Sequence, residues 1–268
     1  MNNEELAPFL EPTFYCDVYH PSIQKVALEF QKKALNQVDL AKLLFYFVRD
    51  ETYYRVGHWT KKASQTLKNR SGTCTNNANL LIALLRAQRI PAGYGVMNVV
   101  GQEYFGPVIL PNLARNVSSR SKHVYCFVYL NNKWIKCDPS DDEPLSLSTH
   151  HLNPQSRIVE WDGNTDAMLN LDPDHILNDE GPIANIDHII GKKMKYRRMI
   201  PVFIGNKYIQ FLRERGKYID SIDHLDPAFR QWLFMNNVSL YIFYRIYFVL
   251  ESIIRGHKIN AEDILNIN

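Results

Sequence analysis

The segment from Cys74 to Gln88, CTNNANLLIALLRAQ, constrains the fold more than any other part of the chain. Ala78, Leu81, Ile82 and Leu85 recur at spacings of three and four, which reads as helix. Leu80, Ala83, Leu84 and Ala87 fill the rest of its circumference. A helix that is apolar nearly all round has to be covered on most sides, so other elements must form layers against it. Ile90-Pro91-Ala92-Gly93 ends it. The residues before it supply cover. After Pro21, the positions Ile23, Val26, Ala27, Phe30 and Ala34 repeat as a helix face. Asp39 is expected to cap a second helix, with Leu40, Leu43, Leu44, Phe47 and Val48 on its apolar stripe.

Beyond the helix the period changes. YGVMNVV, which starts at Tyr94 and is broken by Gly101, reads as strand. HVYCFVYL and KWIKCD flank Asn131-Asn132, and asparagine tolerates positive φ, so the pair reads as a hairpin turn. Residues 102–122 are irregular, rich in Pro, Asn, Ser and Arg, and long enough to be a binding loop. Residues 140–190 read as loop, and helix returns near Lys207 to Arg215 and after Asp226. Helices followed by antiparallel strands give an α+β fold class. The expected division is a catalytic domain over 1–215 and a helical C-terminal extension packed on it over 216–268. The run Val238 to Leu250, VSLYIFYRIYFVL, carries Arg245 and falls short of the roughly twenty residues a membrane span needs, so no span is expected. It reads as a helix that packs internally or on a second copy, giving a homo-oligomer.

A net charge of +3 is too small to argue for nucleic acid. One local run, Lys192, Lys193, Lys195, Arg197 and Arg198, is either a solvated loop or a landing patch for an acidic partner. The four cysteines, 16, 74, 126 and 137, show no CxxC spacing and are too few for a disulfide scaffold. The first residues show no basic stretch followed by an apolar one, so a reducing, cytoplasmic compartment is expected. Cys16 with His20, His150 with His151, and Cys126 with Cys137 all lack zinc spacing, and no phosphate-binding glycine loop is present. Neither metal nor cofactor is expected.

Cys74 stands out by position. It follows Arg70-Ser71-Gly72-Thr73 and opens the buried helix. The first amides of a helix lack internal partners, and the helix dipole is positive there. Both favour thiolate over thiol, and the free amides suit a developing oxyanion. Gly72 allows close approach by another backbone or a substrate. A thiolate nucleophile needs a base, and the base needs an orienting group. If the hairpin turn has two residues, Leu130 lies opposite Lys133, Tyr125 opposite Asp138 and His123 opposite Ser140. His123 and Asp138 are then diagonal neighbours on one face, within reach of a hydrogen bond, while Cys126 and Cys137 point to the other face as core thiols.

RSGTCTNNANLLIALLRAQRIPAG resembles the cysteine-helix motif of the transglutaminase-like superfamily, and HVYCFVYLNNKWIKCDPS resembles its histidine strand, hairpin and aspartate strand. The lead-in FVRDETYYRVGHW fits as well, so the resemblance runs over roughly residues 45 to 140. It implies a papain-like core with Cys74 as nucleophile, His123 as general base and Asp138 as its orienting group. Thr75 stands where animal transglutaminases have an aromatic residue. An oxyanion residue is expected upstream, with Tyr53, Tyr54 and Trp59 as candidates. The chain is similar to bacterial stand-alone members, some of which condense acyl groups held as thioesters on carrier proteins. The expected function is acyl transfer from a thioester or amide donor to an amine, with an acyl carrier protein as a partner that the basic run would suit. Cysteine peptidase or amidase activity, and a non-catalytic binding module, are the alternatives.

Overall fold

The computed structural model describes residues 3–104, 106–153, 158–192 and 199–254. Helices α1 (Pro21–Gln31) and α2 (Gln37–Glu51) form where the apolar spacing places them. The cap of α2 differs from expectation. It is Asn36, whose side chain accepts from the Asp39 amide at 2.9 Å, while Asp39 accepts from the Leu35 amide one turn back at 3.0 Å. An asparagine at N-cap satisfies an amide that an aspartate inside the first turn cannot reach.

A two-residue strand β1 (Tyr53–Tyr54) and helix α3 (Ala63–Asn69) lead to β2 (Ser71–Gly72), which pairs in parallel with β1. Helix α4 (Cys74–Ala87) follows at once, and every residue from Cys74 to Arg86 is buried. Helices α1, α2 and α3 pack on it from one side and the sheet from the other. Burial this complete leaves its polar residues dependent on internal partners. Asn79 donates to the Tyr15 carbonyl and accepts from Tyr94 Oη at 2.6 Å. Arg86 reaches the carbonyls of Glu11, Ala92 and Ala184.

Strands β3 (Ala92–Val100), β4 (Arg120–Leu130), β5 (Lys133–Cys137) and β6 (Ile176–Ile183) make one antiparallel sheet in the order β5-β4-β3-β6. Asn131 and Asn132, at φ 50° and 62°, form the two-residue turn between β4 and β5. Val124, Cys126, Val128, Ile135 and Cys137 face the core shared with α4, and Cys126 Sγ contacts the Ala78 carbonyl at 3.5 Å. Cys126 and Cys137 are therefore core thiols, as expected.

The stretch expected to be loop contains β6 and the short helix α5 (Glu143–Thr149), capped by Asp142, besides single helical turns at Pro173–His175 and Asp187–Ile190. Helices α6 (Met199–Arg215), α7 (Leu225–Asn236) and α8 (Val238–Ile254) build a second apolar cluster with Tyr54, Leu110, Leu113, Leu145 and Leu152. In α8, Tyr244 and Phe248 are buried while Val238, Ile242, Ile246 and Leu250 are exposed. No described helix is long and apolar enough to cross a membrane. Of the basic run, only Lys192 lies within the described residues.

Candidate active site

Cys74 is the first residue of α4. Its entry is held by a reciprocal cap in which Thr73 Oγ1 accepts from the Asn76 amide at 3.3 Å and Asn76 Oδ1 accepts from the Thr73 amide at 3.2 Å. Asn76 also donates to the Trp59 carbonyl at 2.8 Å. The amides of Cys74 and Thr75 keep no backbone acceptor among the described residues, as the first turn of a helix requires. Gly72 is needed here. A Cβ at this position would lie 2.6 Å from Asn77 Oδ1 and 2.7 Å from Asn76 Cβ, so the close approach is to the helix itself.

The hairpin register is the expected one, from Leu130 opposite Lys133 to Cys126 opposite Cys137. It carries His123 and Asp138 together, with His123 Nε2 2.6 Å from Asp138 Oδ2 and both side chains fully buried. The other carboxylate oxygen accepts from the Ser140 amide at 3.1 Å and from the Ser140 hydroxyl. An ionised carboxylate only accepts, so Nε2 carries a proton and Nδ1 is the nitrogen left to exchange one. Burial disfavours the imidazolium, but the charge and hydrogen bond of Asp138 outweigh it, and Cys74 acts in the same direction. The result holds His123 well above its ordinary value.

Nδ1 also meets a group that sequence reasoning did not single out. Tyr104 Oη lies 3.0 Å from it, brought there by the helical turn Gly101–Tyr104 in the expected binding loop. Burial, and next the negative charge at Cys74, push the Tyr104 hydroxyl far above its usual range. Tyr54 is raised by the same two causes in the same order. Both phenols thus stay protonated donors beside Cys74. Of the three expected oxyanion candidates, Tyr54 lies at the site. Tyr53 is 49% exposed under the Arg213 guanidinium, and Trp59 packs against the main core.

Tyr54 and Tyr104 also line a cavity of about 330 Å³. Its walls mix aliphatic side chains, among them Val108, Leu113, Val202 and Leu212, with polar ones such as Asn116, Ser121 and Asn170. The 102–122 segment supplies one wall and α6 another, so that segment does border a site. Asp141 opens into the cavity as well, and burial together with Asp138 and Asp142 raises its carboxyl to about 7. The neighbouring Asp142 is fully buried. It accepts from the Tyr54 amide at 2.8 Å and from Arg213 Nη2 at 2.5 Å, which ties α6 to the strand beside the site. Asp141, Asp142 and Arg213 were not singled out from the sequence. The run DPSDD signals carboxylates, but nothing local tells which of them meets α6. Cys16 with His20 and His150 with His151 take no part in the site, and no group of three or more His, Cys, Asp or Glu among the described residues could hold a metal ion.

Residues 24–139 match the sequence model of the transglutaminase-like superfamily. The cysteine helix α4 and strands β3, β4 and β5 lie within that match, and β6 lies outside it. The chain also aligns with a crystal structure from Cytophaga hutchinsonii provisionally described as a cysteine protease, at 24% identity and a TM-score of 0.41. That alignment covers 54% of this chain and 45% of the other, so the chain spans less than half of that protein's length. No curated protein matches the chain. Together with the Cys-His-Asp arrangement, the family match supports a cysteine-based enzyme.

Proposed function

We propose that this transglutaminase-like protein transfers an acyl group from a thioester or amide donor to an amine, through an acyl-enzyme on Cys74. The observation that carries the reading is the ordered pair His123–Asp138, with Cys74 acting on the His123 ring in the same direction as Asp138. The Cys74 thiolate attacks the acyl carbon. The oxyanion is received by the α4 amides and by the protonated hydroxyls of Tyr54 and Tyr104. His123 gives its proton to the leaving group, and Asp138 keeps the ring in one tautomer. An amine then attacks the acyl-enzyme, loses a proton to His123, and the thiolate leaves.

The aliphatic part of the cavity beside the site favours transfer over hydrolysis, because valine, leucine and isoleucine side chains near the acyl-enzyme disfavour water there. The test follows octanoyl-pantetheine thioester with the protein by mass spectrometry, with and without n-hexylamine. Octanoylation of Cys74, discharged as N-hexyl octanamide, supports the proposal. Cleavage of casein with no reaction of the thioester would establish the peptidase reading instead. A Cys74 that takes up no acyl group from either would leave a binding module.

A further inference from the structure

The cavity beside Cys74 carries three carboxylates, from Glu103, Asp141 and Asp172, and no lysine or arginine among the described residues lines it. Its one described lining side chain able to carry a positive charge is His175. The carboxylates are not equivalent. Glu103 is exposed, whereas Asp141 is partly buried and within electrostatic reach of His123, Tyr54 and Tyr104. No hydrogen bond to the Asp141 side chain comes from a described residue. The nearby cation, Arg213, is engaged by Asp142 and by the Tyr54 carbonyl. A partly buried carboxylate without its own cation, in a cavity that also offers aliphatic walls, is matched by a ligand with a positive head and an apolar arm.

We infer that this cavity is the acceptor site, that it takes a primary alkylammonium, and that Asp141 binds the ammonium group. The inference rests on the acyl-transfer reading for its catalytic meaning, though not for the binding itself. The chemistry balances simply. The bound ammonium gives one proton to Asp141 and becomes a neutral amine. Its nitrogen lone pair forms the C–N bond to the acyl carbon, His123 takes the second proton, and the C–S bond breaks to return the Cys74 thiolate. An anionic acceptor meets three carboxylates and no lysine or arginine among the described lining residues, and is disfavoured. The groups that face Asp141 are Asp138 and Asp142, which hold its proton on, and His123 and Arg213, which draw it off.

Binding can be measured without turnover. The Cys74→Ala protein is titrated calorimetrically with n-hexylamine and with 1-hexanol, which has the same arm and no charge. At pH 8 the amine is expected to bind at least tenfold more tightly than the alcohol. Asp141, at about 7, loses most of its charge by pH 6, so the amine should weaken about tenfold there while the alcohol holds. Asp141→Asn should remove the preference at both pH values. Equal binding of the two ligands by the Cys74→Ala protein at pH 8, or an amine preference that does not weaken between pH 8 and pH 6, would overturn the assignment even if Asp141→Asn failed to fold. A missing acyl-enzyme with the amine preference intact would sink acyl transfer and leave the ammonium site standing.

Discussion

Asp138 uses each oxygen for a different task, Oδ2 for His123 and Oδ1 for Ser140, so a change at this residue disturbs proton transfer more than packing. An asparagine in its place would keep the shape but lose the charge, and the side-chain amide nitrogen would compete with Nε2 as a donor. The Asp138→Asn protein should fold and should form acyl-enzyme roughly 10²–10⁴-fold more slowly, which rapid-quench mass spectrometry of Cys74 checks. This pair was legible in the sequence because a strand has period two and Asn131-Asn132 sets the register. Tyr104 and Asp141 were not. A tyrosine in an irregular loop and the second of three nearby aspartates carry no periodic signal, and only the packing of α6 and the loop encloses them. Asp141 also has a consequence for stability. Its folded value is raised from 3.8 to about 7, so between those values the folded state holds a proton that the unfolded chain has released. The stability it lends is complete below about 4 and is lost as pH rises through about 7. Asp141→Asn should therefore melt at a higher temperature than the parent at pH 8, with the gap closing towards pH 4 in differential scanning calorimetry. The partial exposure of this side chain makes the gap smaller than the shift alone implies.

The start of α4 depends on how closely β2 can approach it. Gly72 meets Asn76 and Asn77 at distances no Cβ can occupy, and of these Asn76 belongs to the cap of the cysteine helix. Gly72→Ala should cost roughly 1–3 kcal/mol, as overpacking of a filled site does. It should also slow iodoacetamide labelling of Cys74 in the folded protein, because α4 must shift to admit the methyl group. A lowered melting temperature with unchanged labelling would show that the helix start is not what Gly72 protects. Helix α4, strand β3 and the β4–β5 hairpin were legible because their periodicity is strong and their flanking turns are explicit. Strand β6 was not. Its residues Asn178-Asp179-Glu180-Gly181-Pro182 are turn formers, and it sits at the sheet edge with most side chains exposed. Pairing with β3, and the bonds that Asp179 accepts from Tyr125 and Lys136, make it a strand, and these are contacts made at a distance in sequence. Helix α5 is a single short element whose cap, Asp142, reads locally as one more loop aspartate.

At the scale of the molecule, a clamp on the fully buried Asp142 ties α6 to the strand beside the cysteine site. Arg213 of α6 donates to both oxygens of Asp142 and to the Tyr54 carbonyl, and Asp142 also accepts from the Tyr54 amide and caps α5. Removing the guanidinium leaves a fully buried carboxylate without its cation, which costs about 3–5 kcal/mol. A second arginine pair in the same helical layer gives the scale. Arg230 and Asp226, four residues apart in α7, are 29% and 30% exposed, and pairs of that kind contribute about 0–1 kcal/mol. Arg213→Met should therefore lower the urea midpoint several times more than Arg230→Met. The two should also differ in kind. Loss of the clamp frees Tyr54 and one wall of the cavity, so Arg213→Met should raise the KM for n-hexylamine even under conditions where the protein is fully folded. Arg230→Met, away from the site, should leave it alone. Equal effects of the two substitutions on KM would mean that α6 stabilises the molecule without shaping its site. A selective effect of Arg213→Met would mean that helices lying outside the region matched to the superfamily, residues 24–139, build part of the substrate pocket.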